Sequence, residues 1–175
     1  RLKQIRVGHP LDPDSQMGPV VNPKQRQRVL GYLEKGKADG AECVLEGGPA
    51  QVDGFTGNYV KPALLAGSLD NVAAREEIFG PVAYLARFKD EAEAIEMANN
   101  TDYGLANSVW TEDPIRAARM AESMVAGNSW INAHNVFPQG VPYGGVNKSG
   151  LGGGVLSIET LLDYYRTTSI VRLLK

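Results

Sequence analysis

The hydrophobic and polar positions of the chain change period several times. Residues 8–22 place Pro10, Pro13 and Pro19 among Asp12, Asp14 and Asn22, a loop composition. Asn22 suits a helix cap, Pro23 suits the first helical position, and Val29, Leu30 and Leu33 share one face. This predicts a helix that Gly40 ends. Residues 42–46 read as a short strand stopping at Gly47-Gly48, with a loop over 47–57. Residues 59–65 can extend, and Pro62 within them predicts an edge strand. Residues 82–88 are β-like, with Val82, Tyr84, Ala86 and Phe88 on one face. Asp90 with Glu93 forms a capping-box pattern for a helix over 91–98. Residues 105–110 are a buried-strand candidate. Asp113-Pro114 opens a further helix, with Ala117, Ala118, Ala121, Met124 and Val125 as its apolar stripe and Gly127 as its stop. Residues 129–132 form a short strand. A glycine-dense loop over 140–154, a short helix over 157–164 and a β-branched segment over 167–174 close the chain. The alternation through 24–132 predicts an α/β fold, a largely parallel sheet flanked by helices.

Composition narrows the function classes. A chain of 175 residues, 43% of them hydrophobic, can build one core. Its net charge is −2, so there is no basic field to attract nucleic acid or an anionic membrane. No run of about 18 apolar residues predicts a membrane helix. One Cys excludes an internal disulfide and a CxxC metal site. The first residues contain neither an initiator Met nor an apolar leader segment, so Arg1 is expected not to be the natural start. A cytoplasmic location is the matching expectation.

Few residues suggest chemistry on their own. Gly144-Gly145-Val146-Asn147-Lys148-Ser149-Gly150 lacks the Gly that a phosphate loop needs before its Lys. The segment reads instead as a tight loop approaching other backbone closely. Cys43 sits on an apolar strand with no nearby His, as a small buried Cys would. His9 lies in a loop, and His134 follows a strand without a carboxylate at metal spacing. Glu76-Glu77-Ile78-Phe79-Gly80-Pro81 says more. In an extended segment Glu77 and Phe79 would share a face, a carboxylate beside a ring. That pair suits a ribose; a surface acid beside a core Phe is the plainer alternative. Trp130, Asn132, Asn135, Phe137 and Tyr143 gather after a strand and could line a pocket.

The ordered motifs then resemble one family. Val7-Gly8-His9-Pro10-Leu11-Asp12 with Met17-Gly18-Pro19 is similar to a VGxPxD…GP segment of NAD(P)-dependent aldehyde dehydrogenases. Glu76-Glu77-Ile78-Phe79-Gly80-Pro81-Val82 is their EEIFGPV motif. Asn99–Ala106 is similar to their NxxxYGLA pattern, and Gly127–Asn132 with Pro142-Tyr143-Gly144-Gly145 and Ser149-Gly150 resembles GxxW[IV]N…P[FY]GG…SG. The resemblance is to the C-terminal part of such enzymes. It implies residues 1–165 as part of the catalytic domain and 166–175 as an oligomerisation strand. It also implies a homodimer or homotetramer formed through that strand, binding neither nucleic acid nor membrane.

The implied reaction oxidises an aldehyde to a carboxylic acid. A Cys thiolate attacks the aldehyde, hydride leaves for NAD or NADP, and a Glu-activated water hydrolyses the thioester. Glu77 and Phe79 would bind the nicotinamide-side ribose, and Phe137 and Tyr143 would wall the aldehyde tunnel. The family's nucleophile and base lie outside these residues, and Cys43 does not match the nucleophile's motif. A fragment without dehydrogenase activity of its own is therefore expected. A truncated homologue serving only as an oligomerisation module, or an acyl-phosphate or acyl-CoA reductase, are the alternatives. Two positions depart from the pattern. Lys148 stands one place later than the usual Lys, and Gly153-Gly154 replace a usual Arg-Glu.

Overall fold

A computed structural model describes residues 1–151 and 154–174. The chain divides into two compact units, Arg1–Arg87 and Phe88–Lys175.

The first unit begins with a 3-10 turn at Leu2–Gln4 and a bridged loop in which Val7 pairs with Met17. Helix α1 spans Pro23–Ala38. Asn22 Oδ1 accepts the Gln25 N–H at 2.8 Å, and Gly40 follows the helix at φ +91°, so both predicted ends hold. Strand β1 is Glu42–Pro49, β2 is Val60–Ala66 and β3 is Val82–Leu85, in the order β1-β2-β3. The β1–β2 pair is antiparallel and the β2–β3 pair parallel.

Two expectations fail here. The strand does not stop at Gly47-Gly48: both glycines take positive φ, and β1 continues to Pro49. Gly47 lies so close to β2 that a Cβ would stand 2.5 Å from the Ala63 Cβ. Nor does Pro62 mark an edge, because β2 is the central strand. Parallel pairing to β3 starts only at Ala63, so the missing Pro62 N–H removes no bond to β3.

Helix α2, Val72–Arg75, was not predicted. It is short and held by Asn71, whose buried side chain accepts the Ala73 N–H and donates to Gly36 O and Asp39 O. The core of the unit is Val29, Tyr32 and Leu33 of α1 against Val60, Ala63 and Leu65 of β2, with Ala73 and Ile78. Each fully buried aliphatic side chain contributes roughly 1.5–3 kcal/mol.

The second unit contains α3 (Glu91–Asn99), β4 (Ala106–Val109), α4 (Pro114–Ser123) and β5 (Asn128–Ile131). β4 and β5 pair in parallel. Asp90 Oδ1 accepts the Glu93 N–H at 2.9 Å, and Glu93 reaches back to the Lys89 N–H. Asp113 Oδ1 accepts the N–H groups of Ile115 and Arg116 at 2.9 and 3.1 Å. The α4 stripe differs from the expected one. Ala117 and Met120 are buried, Ala118 and Val125 are exposed, and the helix ends before Met124.

A 3-10 turn at Asn147–Ser149 and helix α5, Ile158–Leu162, follow. The sheets are thus smaller than predicted: two of the three strand pairs are parallel, in separate sheets. The expected strand over 166–175 is not formed across its described residues, which are exposed and carry no pairing. An isolated strand has no hydrogen-bond partner without a neighbouring edge. Among the described residues no helix is long and apolar enough to cross a membrane.

Candidate functional site

The four residues singled out for binding fall as two pairs, one in each unit. Glu77 and Phe79 lie in the turn between α2 and β3. Ile78 between them is buried at 7% exposure, whereas Phe79 is 74% exposed and Glu77 is also exposed. The turn is anchored through its middle residue and offers the flanking two to solvent. The expected reason, plain extended alternation, is incomplete. Phe79 has φ +56°, a left-handed conformation that costs a non-glycine residue on the order of 1 kcal/mol.

Helix α1 compensates that strain. The Gln25 amide nitrogen donates to Ile78 O at 2.9 Å and to Phe79 O at 2.8 Å. Arg28 donates to Glu77 O at 2.7 Å. The Tyr32 hydroxyl donates to the Glu76 carboxylate, which pushes the phenol above its ordinary value, and Arg28 lies 4.8 Å over the Tyr32 ring. Next along the chain, Gly80 packs onto the core: a Cβ there would stand 2.4 Å from Val29 Cγ2. The Glu77 carboxylate itself makes none of these contacts. An exposed acid beside an exposed ring fits sugar hydroxyls and a flat heterocycle.

The second pair belongs to an aromatic cluster. Phe137 meets Tyr143 edge to face at 4.8 Å between ring centroids. Trp130 of β5 touches both, Phe137 at 5.7 Å and Tyr143 at 6.2 Å, and His134 at 5.4 Å. The Trp130 indole N–H donates to Val136 O at 2.7 Å, and Ser108 Oγ lies 2.9 Å from His134 Nδ1. Asn132, at φ +50°, exchanges two hydrogen bonds of 2.9 Å with the Thr111 backbone and so fixes the chain as it leaves β5. Asn135 also takes positive φ, at +55°. Phe137 is 46% exposed. Trp130, Phe137 and Tyr143 thus form one aromatic cluster, with Phe137 exposed and the polar His134 and Asn135 exposed near it in the chain.

The glycine-dense loop is a backbone-packing device, as expected. Gly127 lies against it so tightly that a Cβ would stand 1.7 Å from Gly144 O. Lys148, the displaced Lys, pairs with Asp102 and lowers that carboxyl below its ordinary range. The Lys148 N–H donates to Asp102 O at 2.9 Å, and the Gly104 N–H donates to Ser149 Oγ at 3.1 Å. The Gly153 half of the Gly153-Gly154 departure lies outside the described residues, as does Gly152.

Cys43 is half-buried, and its thiol donates to Glu46 Oε2 at 3.3 Å. Burial first, then that acceptor, raise the thiol above its usual value, the reverse of an activated nucleophile. His9 stacks on Phe55 with centroids 4.1 Å apart. A cavity of about 650 Å³ opens beside α3, β4 and α4, lined by Met97, Met120 and Met124 among others. None of the four selected residues lines it.

The α1 residues that hold the turn were not singled out from the sequence. Gln25, Arg28 and Tyr32 recur at i, i+3 and i+7, one face of a helix, and that spacing was the available clue.

The chain matches the family model described as "Aldehyde dehydrogenase family" over residues 1–170. It is 47% identical over 154 residues to a betaine aldehyde dehydrogenase of Brucella anthropi, covering 87% of this chain and 32% of the relative. HpcC from Thermus thermophilus superposes with a TM-score of 0.84 at 41% identity, over 100% of this chain and 36% of that one. A betaine aldehyde dehydrogenase of Staphylococcus aureus in complex with NAD+ gives 0.86 at 33% identity, over 94% and 33%. The chain thus spans about a third of the length of the curated relatives it matches. These shares lend no support to the C-terminal assignment, which rests on motif order alone.

Proposed function

The chain belongs to the aldehyde dehydrogenase family, and from that premise we propose that it is part of an enzyme oxidising an aldehyde to a carboxylic acid with NAD or NADP. The observation that carries this reading is the turn at 77–79: an exposed carboxylate and an exposed ring on a backbone fixed to α1. Glu77 would accept hydrogen bonds from the nicotinamide-side ribose, and Phe79 would pack beside it. The cofactor supplies the hydride acceptor. These two residues bind and orient it, which is a positioning contribution. A relative whose structure holds NAD+ supports the choice of cofactor.

Phe137 and Tyr143 would form an apolar wall for the aldehyde, with Trp130 behind them. An aldehyde carrying a quaternary ammonium group is a specific form of this reading. Aromatic faces attract such a cation, and relatives of this chain are named betaine aldehyde dehydrogenases.

The nucleophile and the general base belong to parts of the enzyme outside these residues. Cys43, with its raised thiol, is unsuited to the task. Residues 167–174, exposed and apolar at Ile170 and Leu173, would pair with a neighbouring subunit.

The test is made on the full-length enzyme, following NADH formation with betaine aldehyde and with benzaldehyde. Glu77→Gln should raise the KM for the nucleotide and spare that for the aldehyde. An unchanged nucleotide KM would reject the assignment. Purified residues 1–175 alone should give no sustained NAD+ reduction.

A further inference from the structure

We propose that Gln25 is a positioning residue for nucleotide binding, acting through the backbone of the 77–79 turn; this rests on the reading of Glu77 and Phe79 given above. In an extended strand, successive carbonyls point to opposite sides. Here two adjacent carbonyls, Ile78 O and Phe79 O, converge on one side-chain amide at 2.9 and 2.8 Å. They converge where the chain turns into the left-handed conformation at Phe79.

A Gln amide carries two N–H donors, and the geometry uses its nitrogen for both carbonyls. Without it the two carbonyl dipoles would face each other with no protein donor between them. The chain would then gain by leaving the left-handed conformation, which relieves the strain at Phe79 as well. Gln25 therefore selects one backbone state, the one in which Ile78 is buried while Glu77 and Phe79 are both exposed.

The surroundings favour a local effect. The Gln25 backbone is fixed independently by the Asn22 cap, and its side chain contributes nothing to that bond. Arg28 continues the clamp to Glu77 O at 2.7 Å. The three consecutive carbonyls of 77, 78 and 79 are thus all held by α1 side chains. Turn and helix lie in the same unit.

The experiment uses the full-length enzyme carrying Gln25→Leu, which keeps the bulk and removes both donors. Gln25→Glu, which keeps the shape and sets a charge against two carbonyls, is the second variant. NAD+ binding is measured directly by calorimetry, and steady-state constants are taken for NAD+ and for the aldehyde. Loss of two hydrogen bonds from the turn should weaken NAD+ roughly tenfold in Kd and KM in either variant. The aldehyde KM and the melting temperature should stay near those of the parent.

Unchanged NAD+ binding in the variants that fold, while Glu77→Gln is defective, would overturn the positioning role alone. An ineffective Glu77→Gln would overturn the nucleotide reading beneath it. A parallel loss of NAD+ affinity, aldehyde affinity and melting temperature would also overturn the positioning role, since it marks a purely structural residue.

Discussion

The two candidate binding regions are held by different means. The turn at 76–82 is built on a core that Ile78 shares with Val29, Tyr32 and Leu65; Gln25 and Arg28 of α1 secure the backbone above it, and Tyr32 holds the Glu76 carboxylate. The aromatic region at 130–143 has far less buried beneath it. Val109, Ala117 and Met120 are the buried apolar side chains among the described residues of its unit. Its order comes from ring contacts, from the Asn132–Thr111 exchange and from backbone packed on glycine. A carboxylate proposed to bind ribose would need a fixed direction, and a core with side-chain clamps would provide it. An apolar wall needs only surface, and rings leaning on rings provide that.

Substitutions can break this contrast, and the largest effect is expected where backbone meets backbone. Gly127→Ala places a Cβ 1.7 Å from Gly144 O, which no side-chain motion relieves. It should cost about 3 kcal/mol or more in denaturant unfolding. Gly80→Ala meets the Val29 side chain instead, 2.4 Å from Cγ2. It should cost about 2 kcal/mol. Because the clash is with a side chain, Gly80→Ala combined with Val29→Ala should cost less than the sum of the two singles. Strict additivity would show that Gly80 is not held by core packing.

Phe137→Ala removes a half-exposed ring and should change stability by no more than about 1 kcal/mol. The same change should raise the aldehyde KM several-fold. A large stability loss with an unchanged KM would make this cluster a core like the other.

The smallest effect is that of acid on α3 and α4. Arg119 forks onto Glu91, with contacts of 2.5 and 2.8 Å, and holds its carboxyl below the usual value. The Arg116 N–H, and then that of Ile115, do the same for Asp113. With a folded value below the unfolded one, each group stabilises fully only above its ordinary value, 4.5 for Glu91 and 3.8 for Asp113, and loses that contribution as pH falls through its lower folded value. Amide protection in α3 and α4 should therefore decline below about pH 4 before that of the apolar α1–β2 core. Equal decline in both would remove the electrostatic half of the contrast.

Much of this was legible along the chain. The caps at Asn22, Asp90 and Asp113 were readable because capping is local: an acceptor side chain two or three residues before a free N–H. The EEIFGPV motif locates the turn, and the aromatic residues Trp130, Phe137 and Tyr143 stand close together in the sequence as they do in the fold. The central place of β2, the strand running through Gly47-Gly48, and helix α2 were not legible. Each depends on a partner far along the chain: β3 beside β2, Ala63 against Gly47, and Gly36 and Asp39 around Asn71. The segment at 166–174 shows the limit from the other side: its alternation is that of a strand, yet its described residues are exposed and form none.

The sequence by itself determined which residue types stand at the turn and in the aromatic cluster, and the helices α1, α3 and α4. These follow from motif, cap and period, which act within a few residues. Only the tertiary structure decided that Phe79 is left-handed and that Gln25 holds it there. That contact joins residues 54 apart in sequence. The strain at one is offset by a donor on the other, and a balance of that kind exists only once α1 has packed beneath the turn.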